Sequence, residues 1–202
     1  MSKDRVNNWI LIVFNLAYIL GFTFYYLAKQ NYEFMLYIAV LVILFVLVFF
    51  VQNKVKFSYT ILWMLTIWGF LHMLGGGVRV GDSVLYRWIP IELYNAHDAT
   101  GEFVILKFDQ ILHFYIYFVM SFVLAHLLFK KIGKVNPIYF YGVIALASMG
   151  LSVLNELIEF GAVVFLGNTG VGGYYNTLLD LVFNTLGAVV GAAGHSIFSR
   201  RQ

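Results

Sequence analysis

Long runs of apolar residues alternate with short polar connections along the whole chain. Each run has the roughly 20 residues that an α-helix needs to cross the hydrocarbon core of a bilayer. The pattern predicts an all-α polytopic membrane protein, with six transmembrane helices in one bundle and a single domain over residues 1–202. The predicted helices cover about residues 9–27, 34–51, 59–76, 110–129, 138–166 and 178–198.

The first run and the composition both favour a protein that stays in the membrane. No small-residue cleavage site follows the run that starts at Trp9, so we expect a spanning helix instead of a removed signal peptide, and a mature chain that begins at Met1. Hydrophobic residues make up 61% of the 202 residues and charged residues 11%, which leaves too little polar surface for a water-soluble globule. Because the chain has no cysteine, disulfides and thiolate metal sites are excluded.

The basic residues indicate how the chain is oriented. The positive-inside rule assigns the side with more Lys and Arg to the cytoplasm. We therefore expect both termini in the cytoplasm and the long connection 77–109, which includes Lys107, on the outer side of the cell (inner or plasma) membrane. The net charge of +3 reflects this topology, and no basic block suggests a nucleic-acid partner. The basic residues of the predicted cytoplasmic side are Lys3, Arg5, Lys54, Lys56, Lys130, Lys131, Lys134, Arg200 and Arg201.

Two connections on the predicted outer side differ from the short ones. Residues 77–109 form a connection of a length that is often functional. Residues 167–177, GNTGVGGYYNT, have four glycines and no charge, which suits a tight turn or the close approach of backbone to a ligand. We therefore expect any binding site to lie at this end of the helices.

Polar residues inside the helices are few, and the topology predicts one layer for nearly all of them. An ionisable group at bilayer depth costs about 2.5–3.5 kcal/mol and is usually functional. Spacings of three and four residues put the polar side chains of each helix on one face. Four helices contribute: His72 from the third, Asp109 and His113 from the fourth, Asn155, Glu156 and Glu159 from the fifth, and Asp180 and Asn184 from the sixth.

Carboxylates and imidazoles in a low-dielectric interior need a positive charge, and these helix segments contain no Lys or Arg beside them. A divalent metal would compensate them, and oxygen and imidazole ligands suit Zn, Mn or Fe. We expect Glu159 to act as general base or further ligand, and Glu156 to serve in catalysis as well as in binding. The predicted metal ligands are His72, Asp109, His113, Glu156, Glu159 and Asp180.

Structural roles are the alternatives at several of these positions. His72 could be the polar, interfacial end of its helix, and Asp109 could serve only to cap the next helix. Asn184 suits an interhelical hydrogen bond better than a ligand role. The two glutamates could be protonated and hydrogen-bonded to Asn155 or Ser152.

Small residues on the last predicted helix indicate close helix packing. Gly187 and Gly191, with Ala188 and Ala192, form a small-xxx-small face. Such a face allows a second helix to approach closely, either within the chain or in a homo-oligomer. The pattern leaves both open.

Four short motifs follow one another along the chain: His72-x-x-Gly75-Gly76, Phe108-Asp109-x-x-x-His113-Phe114, Asn155-Glu156-x-x-Glu159-Phe160 and Tyr175-Asn176-x-x-x-Asp180, followed by Asn184 and Gly187. Their order and spacing resemble the uncharacterised YjdF-type inner-membrane family, which is distantly similar to VanZ-like proteins. The resemblance covers roughly residues 60–195 and implies a six-helix membrane domain with an acidic, histidine-bearing centre, but no biochemical activity. One departure is Tyr175-Asn176 where a Trp-Asp pair is expected, so Asn176 joins Asn155 and Asn184 in the polar network and not among the ligands.

Three functions fit this sequence. The first is a metal-dependent membrane hydrolase or transferase that acts on a lipid or a lipid-linked envelope substrate. The second is a transporter or channel in which the same carboxylates bind protons or a cation, although the chain shows no internal repeat. The third is a non-catalytic membrane protein that binds a lipid or glycopeptide through residues 77–109.

Overall fold

A computed structural model describes residues 3–98, 101–129, 131–132, 135–167 and 169–199. Within these ranges, six helices are long and apolar enough to cross a membrane, which confirms the predicted class of polytopic helical membrane protein. The location of the termini stays a prediction, and four basic residues used for it, Lys130, Lys134, Arg200 and Arg201, lie outside the described residues. The helices are α1 (Lys3–Ala28), α2 (Tyr32–Val55), α3 (Tyr59–Gly77), α4 (Phe108–Phe129), α5 (Pro137–Leu166) and α6 (Tyr174–Ser199).

Side-chain caps explain where several of these helices begin. The first backbone N–H groups of a helix have no partner within it, and Asn or Ser side chains accept from them. Asn31 caps α2, Ser58 caps α3, and Asn136 caps α5 ahead of Pro137. Helix α6 begins four residues before the predicted residue 178, because the helical hydrogen bonds already start at the carbonyl of Gly173. The apolar pattern could not locate this first turn, which is aromatic and polar.

The long connection contains two β-hairpins, whereas the sequence predicted only a loop. Strands β1 (Arg79–Val80) and β2 (Ser83–Val84) pair antiparallel around Gly81, whose φ of +61° suits glycine. A 3₁₀ turn follows at Leu85–Arg87. Strands β3 (Tyr94–Asp98) and β4 (Gly101–Ile105) then pair antiparallel, with Tyr94 opposite Ile105. These strands are too short and too mixed in polarity for a sequence pattern to reveal.

The chain forms two compact units, and the first ends at Leu85. In this unit, buried polar side chains on α1 bond to α3. The Asn15 amide donates to the Thr66 hydroxyl over 2.9 Å, and the Tyr18 hydroxyl donates to Asn15 over 3.0 Å. The Tyr26 hydroxyl donates to the carbonyl of Met73 over 2.6 Å. Such interhelical bonds compensate for the weak hydrophobic drive between helices in lipid.

The second unit, from Tyr86 onward, contains α4, α5 and α6, and it begins with the β3–β4 hairpin. Helix α4 packs most closely on α6, because Gly187 and Gly191 let the two backbones approach. A Cβ atom at either glycine would overlap a backbone carbonyl oxygen of α4, that of Phe114 or of Phe118. The Ser121 hydroxyl on α4 adds a 2.9 Å hydrogen bond to a carbonyl of α6. The small-residue face predicted from the sequence is therefore used within the chain.

Gln110 joins the β3–β4 hairpin to the start of α4. Its side chain is fully buried, accepts from the N–H groups of Leu106 (2.6 Å) and Lys107 (3.2 Å), and donates to the carbonyl of Val104 (2.9 Å). Leu106 has a φ of +76°, a conformation that a side chain disfavours. The Gln110 amide thus holds a strained backbone turn directly before Asp109.

We expect Gln110→Leu to destabilise the protein, because three backbone groups lose their partner, two of them buried. Each buried group left without a partner costs about 1–3 kcal/mol if the structure does not relax around it. The midpoint of thermal unfolding in detergent measures the effect. Leu106→Gly, which suits the positive φ, should restore part of the lost stability in the double variant. An unchanged midpoint in Gln110→Leu would show that this amide does not hold the turn.

Candidate metal centre

Five titratable side chains of the second unit converge at one end of its helices. Helix α4 contributes two residues from its first turns, α5 two from its C-terminal half, and α6 one from its second turn. Their helical spacings place them on inward faces, as the sequence predicts. We refer to them as the His113 cluster: Asp109, His113, Glu156, Glu159 and Asp180.

The imidazole of His113 lies at the centre of this cluster and is only 7% exposed. Its Nε2 atom is 3.6 Å from Oδ1 of Asp109 and 3.7 Å from Oε1 of Glu159. On the other side of the ring, Nδ1 is 3.7 Å from Oε1 of Glu156. A single ring thus contacts carboxylates from α4 and α5, and Asp180 of α6 completes a set of potential ligands with His113 and Asp109.

Asn184 determines which ring nitrogen of His113 carries the proton. Its amide nitrogen donates to Oε1 of Glu156 over 3.1 Å, so its oxygen is the atom that faces His113. This oxygen lies 3.0 Å from Nδ1 of the ring and can only accept, which puts the proton on Nδ1. Nε2 is therefore the ring atom that could bind an ion, and it faces Asp109 and Glu159. Metal-binding histidines are commonly oriented in this way by a hydrogen bond at the other nitrogen.

Two further asparagines each hold one carboxylate oxygen. The Asn155 amide donates to Oε1 of Glu159 over 2.9 Å, and the Asn176 amide donates to Oδ2 of Asp180 over 2.5 Å. Both pairs are four residues apart on one helix. With Asn184, three amides therefore orient three of the four carboxylates.

Two carboxylate oxygens in this cluster are buried without a hydrogen-bond partner in the described part of the chain: Oε2 of Glu156 and Oδ1 of Asp180. Glu156 is 9% exposed and Asp180 is completely buried. A buried polar atom without a partner costs free energy, and such an atom in a folded protein calls for an explanation. Each of these oxygens belongs to a carboxylate whose other oxygen is held by an asparagine.

His72, another predicted ligand, belongs to the first unit. Its ring stacks on that of Trp68 with centroids 5.2 Å apart, and it lies 5.6 Å from the ring of Tyr37. These contacts explain how the ring is held in place. Its role as a metal ligand stays a prediction.

The alternative in which the glutamates bond to Asn155 or Ser152 describes part of the geometry. Asn155 does bond Glu159, as given above, whereas the Ser152 hydroxyl donates to the carbonyl of Met149 over 2.7 Å. The Asn155 bond leaves the second oxygen of Glu159 available, and its side chain is 19% exposed. The bond from Asn155 is therefore compatible both with a structural role for Glu159 and with a role as a metal ligand.

Three features near the cluster escaped the sequence analysis. A Cβ at Gly172 would overlap the side chain of Asn176, so the glycine-rich connection closes on the amide that holds Asp180. Lys107, which the sequence placed among the outer charges, is only 6% exposed. The Phe103 ring of β4 contacts the Tyr175 ring with centroids 5.2 Å apart, which fixes the hairpin on the first turn of α6. For the bond between Asn176 and Asp180, the sequence offered one signal, the spacing of four residues that Asn155 and Glu159 also have.

This donor set has the chemistry of a site for a hard or borderline cation. Oxygen ligands with one imidazole suit Mn, Fe or Zn, and helical proteins build such centres from inward carboxylates and histidines. Asp109 and Glu159 are the more accessible members, with side chains 24% and 19% exposed. An ion held by the buried members would therefore keep an open side for another molecule.

Comparison with known proteins gives one family. The family model described as predicted membrane protein (DUF2238) matches residues 10–201, nearly the whole chain. No curated protein and no solved structure matches the chain.

Proposed function

The chain belongs to the DUF2238 family of membrane proteins, and we propose that it is a membrane enzyme that uses a divalent metal to hydrolyse, or to transfer a group on, a lipid or lipid-linked substrate. The ligands in this proposal are Asp109, His113 and Asp180, with Glu156 and Glu159 beside them. Zn, Mn and Fe are the candidate ions.

The unpartnered oxygens of Glu156 and Asp180 carry the proposal. If these carboxyls were neutral, the proton on such an oxygen would form a buried O–H group that has no acceptor. If they were charged without a cation, they would repel one another in a low-dielectric interior. Binding of divalent metal to the cluster supplies both a partner for such an oxygen and a compensating charge.

Within such a site, the asparagines orient the ligands and Glu159 transfers a proton. Asn184 holds the Nδ1–H group of His113 so that Nε2 is the ring atom offered to an ion, and Asn176 and Asn184 orient two carboxylates so that each presents an oxygen. A bound divalent ion supplies Lewis-acid polarisation and lowers the pKa of a bound water. Glu159, more exposed than Glu156 and held at one oxygen by Asn155, is suited to accept the proton of that water.

The surroundings of Glu159 favour a substrate that comes from the bilayer. Leu157, Phe160 and Val163 of α5 are 57%, 64% and 40% exposed. In a membrane-spanning helix, exposed apolar side chains of this kind contact acyl chains. A lipid held there would bring its polar end to the cluster without leaving the membrane.

The topology and the sequence resemblance complete the proposal. The distribution of basic residues favours a cluster on the outer side of the membrane, which in this proposal is the inner or plasma membrane. The four motifs favour kinship with YjdF-type and, more distantly, VanZ-like proteins. Membrane lipids are the proposed partners, and a homo-oligomer is compatible with the exposed apolar faces of the helices.

The proposal is tested by incubating the protein, reconstituted in vesicles of native membrane lipids, with Mn²⁺ or with a chelator. Mass spectrometry should detect lipid products that depend on the metal. Glu159→Gln should lower their rate of formation by about 100-fold or more, as expected for a lost general base. Glu92→Gln, the same change at an exposed residue of the same unit, should leave the rate unchanged. Identical products with wild type and Glu159→Gln would refute a catalytic role for this residue.

A proton or cation pathway is the second candidate, since imidazole and carboxylate groups within 3.7 Å of one another resemble the relays of transporters. It predicts uptake of Mn²⁺ or protons into sealed vesicles along a pH gradient, with no change in the lipids. Glu156→Gln would abolish that uptake. Uptake without lipid products would replace the enzymatic proposal with this one.

A further inference from the structure

The ligand atoms of the His113 cluster fall into two sets. Atoms of Asp109, His113 and Asp180 lie within 4.8 Å of one another, and so do atoms of His113, Glu156 and Glu159. We call these the Asp set and the Glu set. They have His113 in common but no carboxylate. Ligands lie about 2.0–2.2 Å from such an ion, and thus within roughly 4 Å of one another, so each compact set has the size of a site for one ion.

Each set contains one of the two unpartnered oxygens. Oδ1 of Asp180 belongs to a carboxylate of the Asp set, and Oε2 of Glu156 to a carboxylate of the Glu set. An ion in the Asp set alone would satisfy Asp180 and leave Glu156 as it is. The pattern of unsatisfied atoms therefore calls for a cation in each set.

The charges within the cluster also indicate two divalent ions. Four carboxylates surround one imidazole, and an imidazole that binds an ion through Nε2 while Nδ1–H donates to Asn184 is neutral. One divalent ion would balance only two of the four carboxylate charges, at a site where Asp180 is completely buried. Two divalent ions balance the four carboxylates.

Resting on the proposed function, we infer that the centre holds two divalent ions, one in each set, and that its substrate is a phosphate ester at the polar end of a membrane lipid. Nε2 of His113 is the ring atom available to the Asp set. The Glu set supplies two carboxylates, and ions such as Mg²⁺ or Mn²⁺ held by one or two carboxylates usually complete their shell with water and substrate phosphate. Paired ions stabilise both the attacking and the leaving oxygen of a phosphoryl displacement.

The reaction that follows from this assignment is hydrolysis of the ester. A water oxygen forms a bond to phosphorus while the bond between phosphorus and the alcohol oxygen breaks. Glu159 accepts the proton of the water and releases it to solvent, and the leaving alcohol oxygen takes up a proton from solvent, so that one water is consumed for each ester. The products are an alcohol and a phosphate that carries the oxygen of the water.

Counting bound Mn²⁺ tests the number of ions. The detergent-purified full chain, without a histidine tag, is stripped with chelator, dialysed against Mn²⁺ and analysed by plasma mass spectrometry. We expect two Mn²⁺ per chain and a spin-coupled pair by electron paramagnetic resonance. One Mn²⁺ would overturn the two-ion inference and leave the proposed function standing, whereas none would overturn both.

Single variants test whether each set binds one of the two Mn²⁺ ions. Glu156→Gln should retain one Mn²⁺ in the Asp set, and Asp180→Asn should retain one in the Glu set. The ion that remains reports that the variant is folded. Glu92→Gln, with its exposed side chain, is the matched control and should retain two. If both cluster variants lose all Mn²⁺ and yet elute as the wild type does in size-exclusion chromatography, the two sets do not bind ions independently, and the two-ion inference is overturned.

Phosphorus resonance tests the ligand class, because bound Mn²⁺ broadens the ³¹P signal of a phosphate that contacts it. Inorganic phosphate and dihexanoyl phosphatidic acid should both be broadened by the wild type and at least tenfold less by Glu156→Gln. The lipid should show this effect at a lower concentration than inorganic phosphate does. Equal potency would favour free phosphate over a lipid, and no broadening of either probe would overturn the phosphate assignment.

Discussion

His113→Ala should remove both metal ions, a larger effect than that of any single carboxylate. The Nε2 atom of His113 is the ring ligand of the Asp set, and its Nδ1–H donates to the Asn184 amide that orients Glu156 of the Glu set. Its loss would also leave Oδ1 of Asn184 without the donor that fixes the orientation of this amide. We expect retained Mn²⁺ to fall below one tenth of an ion per chain, measured by plasma mass spectrometry after dialysis.

Two other histidines provide controls for this experiment. His195, in the second unit, lies 3.2 Å from the hydroxyl of Tyr141, and His195→Ala should retain the wild-type metal content. His72→Ala tests the remaining ligand prediction from the sequence, since only a ligand should lower the count. His113→Gln keeps one hydrogen-bonding group and guards against simple unfolding. Wild-type metal content in His113→Gln and His113→Ala would refute the centre described above.

The helices were predictable because the bilayer imposes a length and a composition on each of them. Both requirements are visible in the sequence. The predicted spans end within about four residues of the observed helices, except that α1 begins at Lys3, ahead of the predicted residue 9, in a polar first turn that the apolar pattern does not include. No such external rule applies to residues 77–109. There, five-residue strands with charged members depend on contacts such as Phe103 with Tyr175, which a sequence pattern does not contain.

The site was predictable up to the face of each helix and no further. Spacing places Asp109 with His113, and Asn155 with Glu159, whatever the fold. Which faces meet depends on tertiary packing: Asn184 of α6 joins His113 of α4 to Glu156 of α5 over three helices. The sequence alone also could not tell which asparagine orients a ligand and which only joins two helices, because both roles require the same residue type.

Gly187→Leu should disrupt the packing of α4 on α6 and, with it, the centre. Residue 187 offers no ligand, but a Cβ there would overlap the carbonyl oxygen of Phe114, one residue after His113. Overpacking against a rigid helix backbone costs about 1–3 kcal/mol or more. We expect a fall of roughly 5–10 °C in the midpoint of thermal unfolding, together with loss of Mn²⁺, because α4 and α6 carry different ligands of the Asp set.

Gly150→Leu is the matched control, since a Cβ at this exposed position of α5 would meet nothing within 4 Å. It should change neither the midpoint nor the metal content. Gly187→Ala should give an intermediate loss, because its single methyl group demands a smaller separation of the helices. If Gly187→Leu retained Mn²⁺ with the stability of Gly150→Leu, the ligands would not depend on close contact between α4 and α6. Metal loss in Gly187→Leu alone would show that backbone approach, and not only ligand identity, builds the site.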